Sequence, residues 1–318
     1  MTDGCDNYFL PNYGIVDWGM GLMIIKHTSR LQRKMNYEKP NSKLHTGELG
    51  DLLRHWRNLR GKSQFDLSLD TGGSQRHLSF IENGRSAPSR QILMEISRAL
   101  DIPLRDRNVL LLAAGYAPIY SEGAWNGSEM KTIMGVLERV LHQHEPFPAV
   151  VMDRYWNVLM ANESTPRFFN SFTEMAVRKS PRNILHLMFD PERMRPFIAD
   201  WENVAKSLLE RVYRESVGRV IDEKTRELLA ALQAYPGVKG EWKSPKTPAT
   251  GSAMPMIPVG FRRGKKVLNY FSMITTVGTP QTIAAQELRI ECMYPVDEET
   301  EIEHLKLIKS LPAIEAHK

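Results

Sequence analysis

The sequence has very few cysteines and no long hydrophobic segment. Its 318 residues include only Cys5 and Cys292, and neither has a second metal-ligating side chain at short spacing, so neither a disulfide framework nor a metal motif is indicated. No apolar run approaches the ~20 residues that cross a bilayer. The N-terminal stretch MTDGCDNYFL is acidic and lacks the basic start and the apolar block of a signal peptide. We therefore expect a protein of the reducing cytoplasm that has no membrane partner.

Catalytic and metal-binding motifs are missing as well. The chain has no G-x-S-x-G, no nucleophile–base motif and no closely spaced pair of catalytic carboxylates. His142 and His144 are two residues apart, and on a helix such side chains point in different directions. Acid–base residues can lie far apart in a sequence, so an enzyme stays an open alternative. The prediction is a protein without catalytic activity, metal or cofactor.

Positive charge is concentrated near the N-terminus. The formal net charge is +5, and residues 26–43 carry six Lys or Arg against one acidic residue. This distribution favours an anionic partner for the N-terminal third of the chain, such as double-stranded DNA. Residues 1–45 lack sustained periodicity and are expected to form a flexible basic extension. A solvated tail without a partner is the alternative for this extension alone.

Residues 46–117 are predicted to form a small all-α domain of five helices. Ser63 and Asp66 form the capping-box pattern at the start of the second helix, and Ser74 is a natural N-cap for the third. The fourth helix follows Ser89, and the fifth ends near Gly115. The first helix places its apolar side chains at the i, i+3, i+4, i+7 spacing of a buried face, namely Leu49, Leu52, Leu53, Trp56 and Leu59.

The third helix, in the stretch SQRHLSFIENGRSAPSR at residues 74–90, separates its side chains by chemistry. Leu78 and Ile81 fall on one side and are expected to enter the core. The opposite arc carries groups that hydrogen-bond bases and phosphates, since Gln pairs with adenine and Arg with guanine. Two helices joined by a short glycine turn can form a helix-turn-helix, and an ordinary solvated helix of a bundle is the alternative. The predicted DNA contacts are Ser63, Gln64, Ser74, Gln75, Arg76, Ser79, Asn83 and Arg85.

The rest of the chain is predicted to form a second domain. Residues 118–128 are rich in Gly and Ser and are interpreted as a linker. Residues 129–302 follow as a helix, strands, further helices and strands again, an order that indicates an α+β fold with an antiparallel sheet. Residues 303–318 are expected to form a C-terminal helix or tail.

Two separate stretches resemble a known family. SQFDLSLDTGGSQRHLSFIENGRSAPS resembles the lambda-repressor-like helix-turn-helix of the XRE or Cro type, and RHLSFIENGRSAPSR is similar to its version in the MmyB-like regulators. NYFSMITTVGTPQTIAAQELRIECMYPVDEET resembles the C-terminal signature of that family. Gly72-Gly73 departs from the less flexible turn that the family usually has. The resemblance covers roughly residues 46–302 and implies a bacterial transcription regulator with a PAS-like C-terminal domain for ligand binding and dimerisation.

This resemblance also implies an apolar small-molecule ligand, such as a fatty acid. The residues themselves show only large apolar groups in the sheet-forming region, and such groups more often form a plain core. The linker and the helix at residues 129–144 are expected to couple the ligand to DNA binding. The expected ligand contacts are Tyr155, Trp156, Met160, Phe168, Phe169, Phe189, Phe271 and Met273.

The function predicted from the sequence is therefore sequence-specific, ligand-responsive regulation of transcription. A homodimer is expected, because one recognition helix reads too few base pairs to address a genome. Two other functions stay open at this point. One is a protein-interaction adaptor, and the other is an enzyme that carries a helical targeting module.

Overall fold

Five helices form the first part of the structure and confirm the predicted all-α domain. The computed structural model describes residues 45–123, 125, 127–173, 182–217, 222–239 and 258–311, so residues 1–44 of the predicted basic extension lie outside it. The side chains of Ser63, Ser74 and Ser89 each accept a hydrogen bond from a first-turn amide, as predicted for N-caps. The five helices are α1 (His45–Leu59), α2 (Gln64–Thr71), α3 (Gln75–Glu82), α4 (Arg90–Ala99) and α5 (Leu104–Ala113).

The core of this domain uses the predicted face of α1, with one correction. Leu49 and Trp56 of α1 are buried, together with Leu78 and Ile81 of α3. Leu59, which the sequence places on the same face, is 38% exposed. At ~100° per residue it lies about 60° from Trp56 around the helix, beyond the edge of the buried stripe. The buried face of α1 is therefore narrower than predicted.

Gly50 lies where α1 meets α3. A Cβ atom at this position would overlap the backbone carbonyl oxygen of Glu82, the last residue of α3. Only a residue without a side chain lets the two backbones approach so closely. Gly50 therefore allows α3 to pack closely against α1.

An antiparallel sheet flanked by helices forms the second part of the structure, as predicted. The strands are β1 (Ala149–Met152), β2 (Val158–Ala161), β3 (Val259–Arg263), β4 (Lys266–Thr275) and β5 (Arg289–Pro295). Their order in the sheet is β2-β1-β5-β4-β3, and each neighbouring pair is antiparallel. β3 and β4 form a hairpin that turns at Gly264, where φ is +62°.

Helices cover both faces of this sheet. Val150 and Met152 of β1 belong to a core with Phe168 on one face, whereas Val151 packs with Leu137 on the other. Both faces of β1 are thus buried, which explains its uninterrupted apolar sequence. The helices are α6 (Lys131–Gln143), α7 (Ser164–Asn170), α8 (Ile184–Phe189), α9 (Trp201–Val217), α10 (Glu223–Gln233), α11 (Ile283–Glu287) and α12 (Glu298–Ser310), with short 3-10 helices at Ser128–Met130 and Arg195–Phe197.

Two predicted boundaries look different in three dimensions. α12 runs across the boundary placed between residues 302 and 303, and His304 and Leu307 are buried, so this helix packs with the sheet. The linker is hydrogen-bonded at both ends. The amides of Ile119 and Tyr120 donate to Asn108 Oδ1 in α5 at 3.1 and 3.2 Å. The carbonyl oxygens of residues 121 and 122 accept from the amides of residues 283 and 284 in α11.

Within the described ranges, no helix combines the length and the apolar composition that a bilayer crossing needs.

Candidate nucleic-acid interface and apolar cavity

The solvent-facing side of α3 and the turn that follows it carry three of the predicted DNA contacts, two on the helix and Arg85 just after it. Gln75, Arg76 and Arg85 are exposed, and their side chains make no hydrogen bond within the described part of the chain. The guanidinium carbon of Arg76 lies 5.3 Å from the ring centroid of Phe80, a cation–π contact within α3. The opposite side of α3 is held in the core by Leu78 and Ile81. α3 therefore presents hydrogen-bonding groups on a well-anchored helix.

Two further predicted contacts, Ser79 and Asn83, are joined by a hydrogen bond. The side-chain amide of Asn83 donates to the carbonyl oxygen of Ser79 at 2.7 Å and lies 3.3 Å from its hydroxyl. Arg54 of α1 reaches the same end of α3 and donates to the carbonyl oxygen of Glu82 at 2.9 Å. These bonds satisfy the carbonyl groups at the C-terminal end of the helix. Arg54, which no sequence motif singles out, adds a positive charge beside this end of α3.

The remaining predicted contacts cap or anchor helices. Ser63 Oγ accepts from the amide of Asp66 at 3.1 Å and donates to its carboxylate at 2.7 Å. The hydrogen bonds from the side chain and the backbone of Ser63 lower the pKa of Asp66. Ser74 Oγ accepts from the amide of His77 at 3.2 Å. The two serines thus define where α2 and α3 begin. Ser74 lies directly before Gln75, the first exposed residue of α3.

A buried carboxylate joins the first three helices. Glu82 is 4% exposed. Arg57 of α1 donates to both of its oxygens, at 2.7 and 3.0 Å, and Gln64 of α2 donates at 2.9 Å. Burial alone would raise the pKa of Glu82, but the hydrogen bonds from Arg57 and Gln64, with the charges of Arg57 and Arg54, lower it overall. Glu82 therefore stays ionised and fixes the angle between α2 and α3.

An apolar cavity lies between the sheet and the helices of the second domain. Its volume is about 70 Å³. Two of the eight predicted ligand contacts, Trp156 and Phe169, line it. The other lining residues are Pro148, Ala149, Val150, Ile184, Leu185, Met188, Leu208, Val259, Phe261, Tyr270, Ser272, Glu291 and Met293.

The strand β4 shows why some predicted ligand contacts miss the cavity. Tyr270 and Ser272 line it, whereas Phe271 stacks on Tyr294 and Met273 is 55% exposed. Neighbouring residues of a strand face opposite sides of the sheet, so the choice of Phe271 and Met273 selected the wrong face. Tyr270 and Ser272 were not among the predicted contacts for the same reason.

Four other predicted ligand contacts also lie outside the cavity wall. Phe168 and Phe189 are fully buried in the packed core beside it. Met160 packs on the opposite side of the sheet, in the cluster that contains Leu137 of α6. The hydroxyl of Tyr155 donates to Asp222 at 3.2 Å, and burial raises the pKa of this phenol to about 12.

One side of the cavity wall is polar. Glu291 lines the cavity and accepts a hydrogen bond from Arg211 at 3.3 Å. The guanidinium carbon of Arg211 lies 4.2 Å from the ring centroid of Trp156, so a cation packs on the ring of an aromatic lining residue. The wall thus combines many apolar side chains with a few polar ones, as in small-molecule sites.

Among the residues that the structure describes, no group of three or more His, Cys, Asp or Glu side chains is placed to hold a metal ion. His144 instead lies 2.8 Å from the carbonyl oxygen of Met293, and His186 lies 3.1 Å from the hydroxyl of Tyr235.

Two family models match the chain. The MmyB-like transcription regulator ligand binding domain matches residues 134–305, which is more than half of the chain. A helix-turn-helix model matches residues 53–106. The first range contains the whole sheet, and the second contains α2, α3 and α4 with parts of α1 and α5.

Curated relatives match about a quarter of the chain. Endothelial differentiation-related factor 1 of Homo sapiens is 29% identical over 86 residues, which are 27% of this chain and 57% of that protein. Multiprotein-bridging factor 1 of Schizosaccharomyces pombe is 28% identical over 85 residues, or 26% and 55% of the two chains. The chain therefore spans just over half the length of these relatives.

Solved structures are similar over a limited region. A transcriptional regulator of the HTH_3 family from Vibrio cholerae is 24% identical, with 23% of this chain and 39% of that chain covered and a TM-score of 0.21. The clp gene regulator ClgR from Corynebacterium glutamicum is also 24% identical, with 33% and 99% covered and a TM-score of 0.21.

Proposed function

This chain belongs to the family of MmyB-like transcription regulators, and we propose that it binds operator DNA through α3 and an apolar ligand through its sheet domain. The observation that carries the first part is the surface of α3. Gln75 and Arg76 on α3, and Arg85 just after it, are exposed there, while Leu78 and Ile81 anchor the helix. A firmly held helix with unbonded Gln and Arg side chains suits base recognition in the major groove.

Base recognition is tested with an operator selected from random duplexes by the full-length protein. Arg76→Ala is expected to lower discrimination at one base pair by ~1–3 kcal/mol, the value of a bidentate contact. Arg139→Ala is the matched control, because it removes the same charge from an exposed position on α6. Equal sequence preference in the two variants would contradict the assignment of α3.

A homodimer is part of the proposal. One helix reads too few base pairs for a genome, so two copies are expected on half-sites ~10 bp apart. The sheet domain supplies the larger surface for such contacts. Analytical ultracentrifugation with and without operator should show two chains per duplex, and one chain on a single half-site would refute the dimer.

The ligand is proposed to be apolar, for example a fatty acid. The cavity of about 70 Å³ is smaller than the ~300–1,000 Å³ of typical ligand sites, so an acyl chain must displace lining side chains. Such a ligand stabilises a conformation other than the present one, which is the requirement for a ligand-dependent change in activity.

Ligand binding is tested by delipidation and readdition of decanoic acid. A rise in melting temperature is expected for wild type and a smaller rise for Ser272→Leu, which places a larger apolar side chain in the cavity wall. If no saturated fatty acid changes the melting temperature and no small molecule is released on denaturation, the ligand proposal is wrong. The sheet domain would then serve only for dimerisation.

A protein-interaction adaptor is the second candidate function. Phe65 and Leu69 lie one turn apart on α2, and both are exposed apolar side chains. One curated relative is named a multiprotein-bridging factor. Salt separates the two functions, because binding driven by phosphate contacts weakens steeply as salt rises. A partner protein whose capture is lost in Leu69→Ser but retained in Arg76→Ala would favour the adaptor.

A further inference from the structure

A pair of charges links the two domains. Arg105 in the first turn of α5 donates to both carboxylate oxygens of Glu287, at 2.8 and 3.1 Å. Gln286 precedes Glu287 in α11, and its side-chain oxygen accepts a hydrogen bond from the backbone amide of Leu104 at 2.7 Å. The start of α5 is therefore held by the end of α11, and bidentate geometry makes this contact directional.

The same carboxylate is shared with a buried arginine of the sheet domain. Arg154 donates to Glu287 at 2.9 Å and forms an ion pair with Asp222 at 2.9 Å. Its side chain is only 5% exposed. Because a buried charge is costly without its partners, a displacement of Arg154 favours a matching displacement of Glu287. Glu287 thus responds to Arg154 on one side and holds Arg105 on the other.

Arg154 belongs to the turn that carries Trp156 into the cavity wall. Trp156 has φ of +67°, an unfavourable conformation for a bulky residue that its surroundings must maintain. The carboxylate of Asp153 accepts the amides of Tyr155 and Asn157 at 2.8 and 2.9 Å and stiffens this turn. Because the turn is stiff, a displacement of Trp156 is expected to displace Arg154 as well.

We propose that Glu287 couples occupancy of the apolar cavity to the orientation of the DNA-binding domain, through Arg154 and Trp156 on one side and Arg105 on the other. This inference rests on the proposed function of α3 and the cavity. It shifts the coupling from the linker and α6, where the sequence places it, to α11. A ligand that displaces Trp156 changes the position of Arg105, and so changes how α5 and the helices packed on it face DNA.

The test compares full-length Arg105→Gln with Glu122→Gln. Arg105→Gln removes the ion pair between Arg105 and Glu287 and leaves the Arg154–Glu287 pair and the Leu104–Gln286 hydrogen bond in place. Glu122→Gln removes only the charge of Glu122, the exposed second partner of Arg105. Operator affinity is measured by fluorescence anisotropy in the absence and presence of saturating decanoic acid. We expect about a 5-fold or larger ligand-induced change in wild type and in Glu122→Gln, and its loss in Arg105→Gln.

Three outcomes decide the matter. A wild-type response in Arg105→Gln, with decanoic acid still raising its melting temperature, overturns the coupling. An operator affinity that ignores bound decanoic acid in all three proteins also overturns it, while leaving operator recognition intact. If wild type binds no operator or no fatty acid, the proposed function itself is wrong, and the coupling falls with it.

Hydrogen exchange gives a readout that needs no ligand. The amide of Leu104 is protected by Gln286, so Arg105→Gln is expected to speed its exchange relative to Glu122→Gln. Equal exchange rates in the two variants would show that Arg105 does not hold α5 on α11.

Discussion

The side-chain amide of Gln64, in the first turn of α2, donates a 2.9 Å hydrogen bond to the carboxylate of Glu82, the last residue of α3. With the two bonds from Arg57, this contact ties three helices to one buried charge. Substitution of Gln64 therefore alters the relation of α2 to α3 as well as any contact to DNA. Exposed residues without internal bonds, such as Arg76 and Arg85, give cleaner tests of DNA contacts.

Glu82→Gln is expected to lower the free energy of unfolding by ~2 kcal/mol, because Arg57 loses its charged acceptor in a buried site. The depressed pKa of Glu82 predicts a pH effect of definite sign. The stability it contributes is present above the ordinary value of 4.5 and is lost as the pH falls through the lower folded-state pKa. Urea unfolding at several pH values checks both effects. Glu48→Gln, at an exposed site on α1, is the control and should behave as wild type.

Gly50→Ala is expected to destabilise the helical domain by ~1–3 kcal/mol, since the new methyl group meets the carbonyl oxygen of Glu82. Gly135→Ala is the matched control on α6, where a Cβ atom meets no other atom. It should stabilise by ~0.5–1 kcal/mol through helix propensity. Thermal unfolding of the two variants should therefore shift in opposite directions, and equal shifts would refute the close contact.

His304 should make the sheet domain sensitive to acid. Burial lowers the pKa of this histidine, whose ring lies 2.7 Å from the hydroxyl of Tyr270 and 2.9 Å from the carbonyl oxygen of Pro146. Its stabilising effect is complete above the ordinary value of 6.5 and is lost as the pH falls from there through the lower folded-state pKa. The melting temperature should fall over this window less in His304→Gln than in wild type or in His55→Gln, which changes an exposed histidine. If the melting temperatures of wild type and His304→Gln change identically with pH, protonation of His304 is not the cause of the acid sensitivity.

Arg85→Ala should weaken operator binding evenly across sequences. Arg85 is exposed just after α3, where a phosphate contact adds affinity without specifying a base. The slope of log affinity against log salt should become shallower by ~0.9 for one lost phosphate contact. An unchanged slope, as expected for Arg139→Ala, would place Arg85 away from the DNA backbone.

Local features were predictable from the sequence because they depend on near neighbours. The caps at Ser63, Ser74 and Ser89 need only residues within one turn, and the burial of Leu78 and Ile81 follows from helical periodicity. The antiparallel sheet was predictable from the order of the elements.

Features that depend on distant residues were not predictable. Glu82 meets Arg57 across 25 residues and Gln64 across 18, and nothing in the local pattern identifies these partners. Arg105 and Glu287 are 182 residues apart. In β4 the sequence shows large side chains on both faces, so the face that lines the cavity depends on how the sheet is covered.

The contacts of the linker with both α5 and α11 have a consequence for operator architecture. A DNA-binding domain on a flexible linker could bind half-sites at many spacings. Here residues 119–122 are hydrogen-bonded to α5 on one side and to α11 on the other, which restricts that movement. In the proposed homodimer, the body of the protein then fixes the distance between the two α3 helices. Inserting about half a helical turn of DNA between the half-sites would rotate one of them to the far side of the duplex. The α3 helix of the second subunit could then no longer contact its half-site.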